Sequence, residues 1–250
     1  MSSPEANLSP DGMEFLDSLR QAFARQSFLP NAGQFEPLSL TVAVSREAGS
    51  RGGTIARRVG KKLGWQVYNQ ELLEYLAQEK HLARELFDAL DEPAVAWVEA
   101  RLQKLLREQN LSQHAALVEL ARVVLAIGAR GEAVILGRGA GTILPLPSTL
   151  HVRIIAPLAE RIGYMSQLER LTSEEATTQV KARDRNRGQF VETHFHRKPS
   201  DIYQYDLLVN SSLLGEDLSS QLVVRAARVK LAALNRARGL PADLTPDTLA

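Results

Sequence analysis

Leu40–Leu63 reads LTVAVSREAGSRGGTIARRVGKKL, and this stretch decides the fold. Its opening LTVAV, Leu40 to Val44, is short, apolar and β-branched, the pattern of a strand covered on both faces. A loop rich in Gly and Ser follows, and then Thr54 to Leu63 places Ile55, Val59 and Leu63 on one helical stripe. Gly64 stands where that helix should stop. A buried strand feeding a helix through a short glycine loop is the unit from which parallel α/β sheets are built.

The same alternation continues outward. Trp65 to Tyr68 is a candidate second strand, and Asn69 caps a helix expected to run through Glu79. Residues 82–128 are almost continuously helical in pattern, with Val95, Val98, Leu102 and Leu105 on one stripe and Leu117, Leu120, Val124 and Ile127 on another. Pro93 suits a first helical turn. Strands return at Ala133–Leu136 (AVIL) and His151–Ile155 (HVRII). Pro157 opens a helix through Glu169, and Thr172 with Glu175 forms a capping box for the next, which reaches about Phe195. Leu207–Val209 is a last short strand, and Leu218–Leu234 a closing helix. The expectation is an α/β fold in three layers, a central parallel sheet of about five strands with helices on both faces.

The flanks read differently. Asp11 to Phe28 sets Phe15, Leu16, Leu19 and Phe23 at roughly helical spacing, so residues 1–38 are expected to form an arm with a short amphipathic helix. It either packs on the main domain, 39–235, or binds a partner. Residues 236–250 are expected to be a tail. The chain has no cysteine, which excludes disulfides, thiolate metal sites and a Cys nucleophile. A net charge of +1 gives no global reason to expect nucleic acid as a partner. No apolar run approaches a membrane span and no secretory leader is evident, so a cytoplasmic protein is expected. His194 and His196 flank Phe195, but no third donor accompanies them and no metal site is expected.

Chemistry in open α/β sheets gathers at the carboxyl ends of the strands. The first such loop is SREAGSRGG, Ser45 to Gly53. Gly49, Gly52 and Gly53 let the backbone approach a ligand closely, and N–H groups at the following helix N-terminus attract phosphate. Arg46, Arg51, Arg57, Arg58, Lys61 and Lys62 surround it against Glu47 alone. Aligned with a Walker A loop, GxxxxGK[ST], Gly52 stands where the lysine belongs and Gly53 where the magnesium-binding hydroxyl belongs. Arg51 or Arg46 would have to supply the charge and Thr54 the hydroxyl. The second loop is GRGAGT, Gly137 to Thr142, which presents Arg138 at a strand end. The third basic element, KARDRNR from Lys181 to Arg187, puts Arg183 and Arg187 one helical turn apart, with Asp184 placed to orient Arg187.

Together these residues resemble the cytidylate kinase-like family, a branch of the P-loop nucleoside monophosphate kinases, over about residues 39–232. Val44–Trp65 resembles the modified phosphate loop of that branch, in which the Walker lysine is often absent. GRGAGT resembles the family's GRDIGT, whose Arg contacts the nucleoside monophosphate. That role maps to Arg138, while Gly139 stands where the family has Asp. Arg183–Arg187 is similar to the lid segment, and YDLLVNSS, Tyr205 to Ser212, to the last strand.

The resemblance implies a P-loop kinase-like fold and transfer of phosphoryl from ATP, with Mg²⁺, to CMP or a related pyrimidine monophosphate. Gly49, Ser50, Arg51, Gly52, Gly53 and Thr54 would hold ATP. Arg138 would position the acceptor phosphate, and Arg183 and Arg187 would close over the transferring group, with Arg187 also binding the acceptor; Asp184, on the acceptor side, would orient an arginine or read the base. Two other readings remain: a catalytically weak nucleotide-binding regulatory protein of the same fold, and a small-molecule kinase with a non-nucleotide acceptor.

Overall fold

Successive residues of the first strand are apolar and point to opposite faces, which requires a layer of helices on each side. The computed structural model, which describes residues 36–240 apart from positions 38 and 109, has that arrangement. Strands β1 (Thr41–Arg46), β2 (Gln66–Tyr68), β3 (Ala133–Leu136), β4 (Thr149–Ile155) and β5 (Leu207–Asn210) form one sheet in the order β2-β3-β1-β4-β5. Every pairing is parallel. The helices are α1 (Gly52–Leu63), α2 (Gln70–Gln78), α3 (Lys80–Asp88), α4 (Glu92–Arg107), α5 (Ala115–Arg130), the short α6 (Ala140–Ile143), α7 (Leu158–Glu169), α8 (Ser173–Phe195) and α9 (Ser211–Ala237).

One face of the sheet (Val42, Val44, Leu150, Val152, Ile154) packs on Ile55 and Val59 of α1 and on Val223 and Ala227 of α9. On the other face Ala43, Ala133 and Ile135 join a larger core made with α2 to α5. Strand alternation puts His151 and Arg153 of β4 on this second face, paired in register with Ala43 and Ser45. There the apolar layer gives way to polar side chains. That change of character places the site.

Local signals held where they act locally. Asn69 accepts from the Leu72 N–H at 2.9 Å, Thr172 and Glu175 close a full capping box, and Gly64 ends α1 in the left-handed region. Other boundaries moved. β1 runs two residues past Val44 and so carries Arg46 to the rim of the sheet. The helical stretch 82–128 is three helices, because Asp91 caps a new start at the Ala94 N–H and the Ser112 N–H is drawn to the carbonyl of His194 on α8. α1 begins at Gly52 rather than Thr54, and the closing helix begins at Ser211, with a break at Gly215.

Of the expected arm and tail, residues 1–35, 38 and 241–250 lie outside the described residues, including the amphipathic segment 11–28. Arg238, just past α9, donates to the Pro37 carbonyl at 2.6 Å and pairs with Glu36 at 3.2 Å.

Candidate active site

A cleft of about 410 Å³ opens over the polar part of the sheet. The end of β1 (Ser45, Arg46, Glu47), the β3–α6 loop (Gly137–Thr142), His151 and Arg153 of β4, α8 from Asp184 to Val191, and Tyr205 line it. It therefore joins the first and second sequence loops to the late basic helix. Arg138 and Arg187 share this one space with Arg46.

The cations in it are poorly compensated. Arg46 is half-buried, and the partial loss of water around it together with the nearby Arg187 and Arg138 brings its pKa down to about 10, with Glu71 only partly offsetting the effect. Burial likewise lowers the pKa of Arg187, whose Nη1 is enclosed without a hydrogen-bond partner. Arg138 pairs with Glu74 of α2, and its guanidinium lies 4.7 Å over the Phe190 ring, yet its Nε has no partner. Among the described residues no carboxylate forms an ion pair with Arg46, Arg153 or Arg187. Burying cations without counterions is unfavourable, so the geometry suits a polyanionic ligand that brings its own negative charge.

The glycine loop sits behind Arg46. Gly49 has φ +78°, and a Cβ there would fall 2.5 Å from the carbonyl oxygen of Arg161, so only glycine fits. Ser50 is buried. Its Oγ donates to the Glu47 carbonyl at 2.9 Å and its own carbonyl accepts from Ser211 Oγ at 2.7 Å. The amides of Gly52, Gly53 and Thr54 open α1 without intrahelical acceptors, and no side chain caps that end. Residues 49–54 do not themselves line the cleft; the loop reaches it through Ser45, Arg46 and Glu47.

The two arginines offered for the missing lysine differ in place. Arg46 lines the cleft, whereas Arg51 is exposed and its guanidinium lies 4.9 Å over the Tyr164 ring. A Cβ on Gly52 would fall 2.6 Å from Cβ of Arg46, so the stem of Arg46 takes the space beside the lysine position.

Asp184 and Arg183 have partners the sequence did not suggest. Asp184 Oδ1 accepts the Ala48 N–H at 2.7 Å, and Oδ2 accepts Arg161 Nη1 at 2.5 Å. Asp184 therefore orients Arg161 rather than bonding to Arg187, to which it remains an electrostatic neighbour. Arg161, nearly buried on α7, also donates to the carbonyls of Ala48 at 3.0 Å and Ala156 at 2.9 Å. One guanidinium thus ties the glycine loop, the end of β4 and α8 together. Arg183 faces away from the cleft, with both its Nη atoms on Glu169 at 2.8 and 3.1 Å, on the outer side of α7. Closing over a transferring group would require it to leave that pair.

Gly139 explains its own departure from the GRDIGT pattern. Its φ is +70°, and a Cβ would overlap the ring of Phe195, which fills the space an Asp would use. Arg153 and Arg161 did not stand out as site residues. The available signal was a charged residue inside an otherwise apolar strand, Arg153 in HVRII.

Residues 41–213, more than half of the chain, match the cytidylate kinase-like family. The chain belongs to the cytidylate kinase-like family. Its fold is similar to that of an uncharacterized protein from Eubacterium ventriosum, at a TM-score of 0.54 and 18% identity over 76% of this chain and 99% of that one. TT1252 from Thermus thermophilus matches at 0.43 and 20%, over 76% and 98%. Shikimate kinase from Bacteroides thetaiotaomicron matches at 0.38 and 11%, over 80% and 99%. No curated protein matches the chain. Membership in this family and the five-stranded parallel sheet make this a P-loop kinase-like fold and support a nucleotide kinase-like function.

Proposed function

We propose that this protein transfers the γ-phosphoryl group of ATP to a nucleoside monophosphate, CMP or a related pyrimidine monophosphate. The observation that carries the reading is the meeting of Arg46, Arg138 and Arg187 in one cleft at the glycine loop. In such a reaction an oxygen of the acceptor phosphate attacks the γ-phosphorus, the bond to the β–γ bridging oxygen breaks, and ADP leaves. The protein aligns the two nucleotides and offsets charge on the moving group.

The loop amides at 52–54 would hold the β-phosphate, with Arg51 at the outer edge. Arg138 would position the acceptor phosphate, and Arg46 and Arg187 would face the transferring group. Asp184 holds the loop to α8 through Ala48 and Arg161, and it is an electrostatic neighbour of Arg187 on the same helix. Magnesium would arrive on the nucleotide's own oxygens and neutralise part of their charge. Gly53 offers it no hydroxyl, and Thr54 Oγ1 already accepts from Arg57 at 3.2 Å.

Calorimetric titration with ATP and with CMP, followed by a coupled assay for ADP release, tests the reading. Arg138→Ala and Arg187→Ala should each lower turnover at least roughly tenfold with the fold intact, the scale of a lost charge-assisted contact. A folded protein that binds neither nucleotide would overturn the assignment.

Gly52 favours one alternative, a nucleotide-binding regulatory protein of weak or no activity, since a missing transition-state charge costs several kcal/mol. Binding without turnover would select it. Gly139 under Phe195 favours another, a non-nucleotide acceptor, which an acceptor screen at fixed ATP would reveal.

A further inference from the structure

The wall of the cleft made by β4 holds a second cationic position, separate from Arg138. Arg153 rises from the middle of a strand whose neighbours Val152 and Ile154 are fully buried. Its Nη1 donates to Ser45 Oγ at 2.9 Å and its guanidinium lies 5.8 Å from the Tyr205 ring centroid. Both partners are neutral, and no described carboxylate pairs with it. Arg187 lies close enough for each to repel the other. A guanidinium placed in a sheet among neutral groups and like charges lacks the counterion that normally accompanies it.

Beside it, His151 is 6% exposed and lines the same cleft. Its Nδ1 lies 2.9 Å from the Gln204 carbonyl. A carbonyl only accepts, so Nδ1 carries the proton and Nε2 is left as a bare acceptor. That nitrogen packs on Gly141, where a Cβ would overlap the ring, so the imidazole lies close under the backbone of the β3–α6 loop. Burial holds the imidazole neutral, with a pKa of about 4; Asp206 opposes this, and Arg153 and Lys230 reinforce it. Arg153 thus offers a forked cation to an anion, with the neutral imidazole packed beside it.

We propose that Arg153 forms a second anion subsite, so that the acceptor carries another anionic group, phosphate or carboxylate, besides the phosphate held at Arg138. This rests on the reading of the cleft as a monophosphate site. It also accounts for the space closed under Gly139, because recognition shifts from a carboxylate at that loop to a cation on β4.

The test is calorimetric, on the full chain. CMP is compared with cytidine 3′,5′-bisphosphate, whose second anion is a phosphate on the ribose. UMP is compared with orotidine 5′-monophosphate, whose second anion is a carboxylate on the base. One of the two dianionic compounds should bind at least roughly tenfold more tightly than its parent, and Arg153→Gln should bring that ratio close to one. If Arg153→Gln does not fold, Arg153→Met reads the same ratio. The proposal falls if neither compound outbinds its parent, or if the preference survives loss of the guanidinium. CMP or UMP binding without any preference would leave the monophosphate reading standing. A folded protein that binds none of the four would remove both.

Discussion

Replacing Asp184 by Asn tests whether the glycine loop is held by α8. The carboxylate accepts two donors at once, the Ala48 N–H at 2.7 Å and Arg161 Nη1 at 2.5 Å. An amide of the same shape must turn its NH₂ toward one of them, setting donor against donor whichever way it flips. Losing a hydrogen bond to a charged group costs about 1.5–3 kcal/mol. Removing one member of a buried ion pair costs about 3–5 kcal/mol, but here Glu47 Oε2 stays 3.4 Å from Arg161 Nε and keeps the guanidinium partly compensated. The expected loss is therefore about 2–3 kcal/mol. For a domain of this size that is a fall of roughly 4–12 °C in Tm, read by circular dichroism. The Ala48 amide should also exchange faster with solvent. Combined with Arg161→Met, the two substitutions should cost less than the sum of their separate effects, since the second removes the charge the first leaves unpaired. An Asp184→Asn protein with wild-type Tm and an equally protected Ala48 amide would refute the coupling.

Three further outcomes follow from the same contacts. Gly52→Lys restores the residue of the standard loop, but its Cβ would meet the Arg46 stem at 2.6 Å, so it should cost about 1–3 kcal/mol and weaken ATP binding; tighter ATP binding in a titration would contradict this. Gly139→Asp combines a left-handed backbone with overlap on Phe195 and should destabilise by about 2–4 kcal/mol in urea unfolding, and an unchanged midpoint would show that the ring yields. His151 has its pKa lowered from 6.5 to about 4 in the folded protein, so the unfolded chain binds more protons between those values. Stability should be fully present above pH 6.5 and decline by about 3 kcal/mol as pH falls through 4, and the Tm profile of His151→Gln should be flatter over that range; parallel profiles would place the dependence elsewhere.

What could be read in the sequence was what neighbours along the chain determine. The caps at Asn69 and Thr172, the stop at Gly64 and the apolar strands all act within a few residues, and each appears where expected. That Arg138 and Arg187 lie at the cleft follows from local patterns, one at a strand end and one in a charged helical run. The positions of Arg153 and Arg161 were not legible, because their contacts run across the fold. Arg153 meets Ser45 only through the parallel register of β4 with β1, and Arg161 reaches Ala48 across 113 residues of sequence. Arg183 misled for the related reason that helical spacing gives a shared face with Arg187 but not its partner. Glu169, on a different helix, takes it outward.

The missing loop lysine bears on how the cleft handles charge. A Walker lysine is a flexible point charge that follows the phosphates. Arg46 is anchored at the end of a strand, its stem against Gly52 and its head against Gly137, and it offers a planar fork in a fixed direction. Even lowered to about 10, its pKa keeps it almost wholly charged at neutral pH. Loss of water lowers it most, and the neighbouring Arg187 and Arg138 add to the effect. An anion bound among the three arginines offsets their mutual repulsion, which adds to the affinity for a polyphosphate. That repulsion also makes the arrangement cooperative, because moving any one of the three arginines changes the field at the other two. A charge fixed in this way cannot follow a group as it moves, which shifts the demand for motion onto α8 and makes its tether at Asp184 the contact that governs how Arg187 meets the ligand.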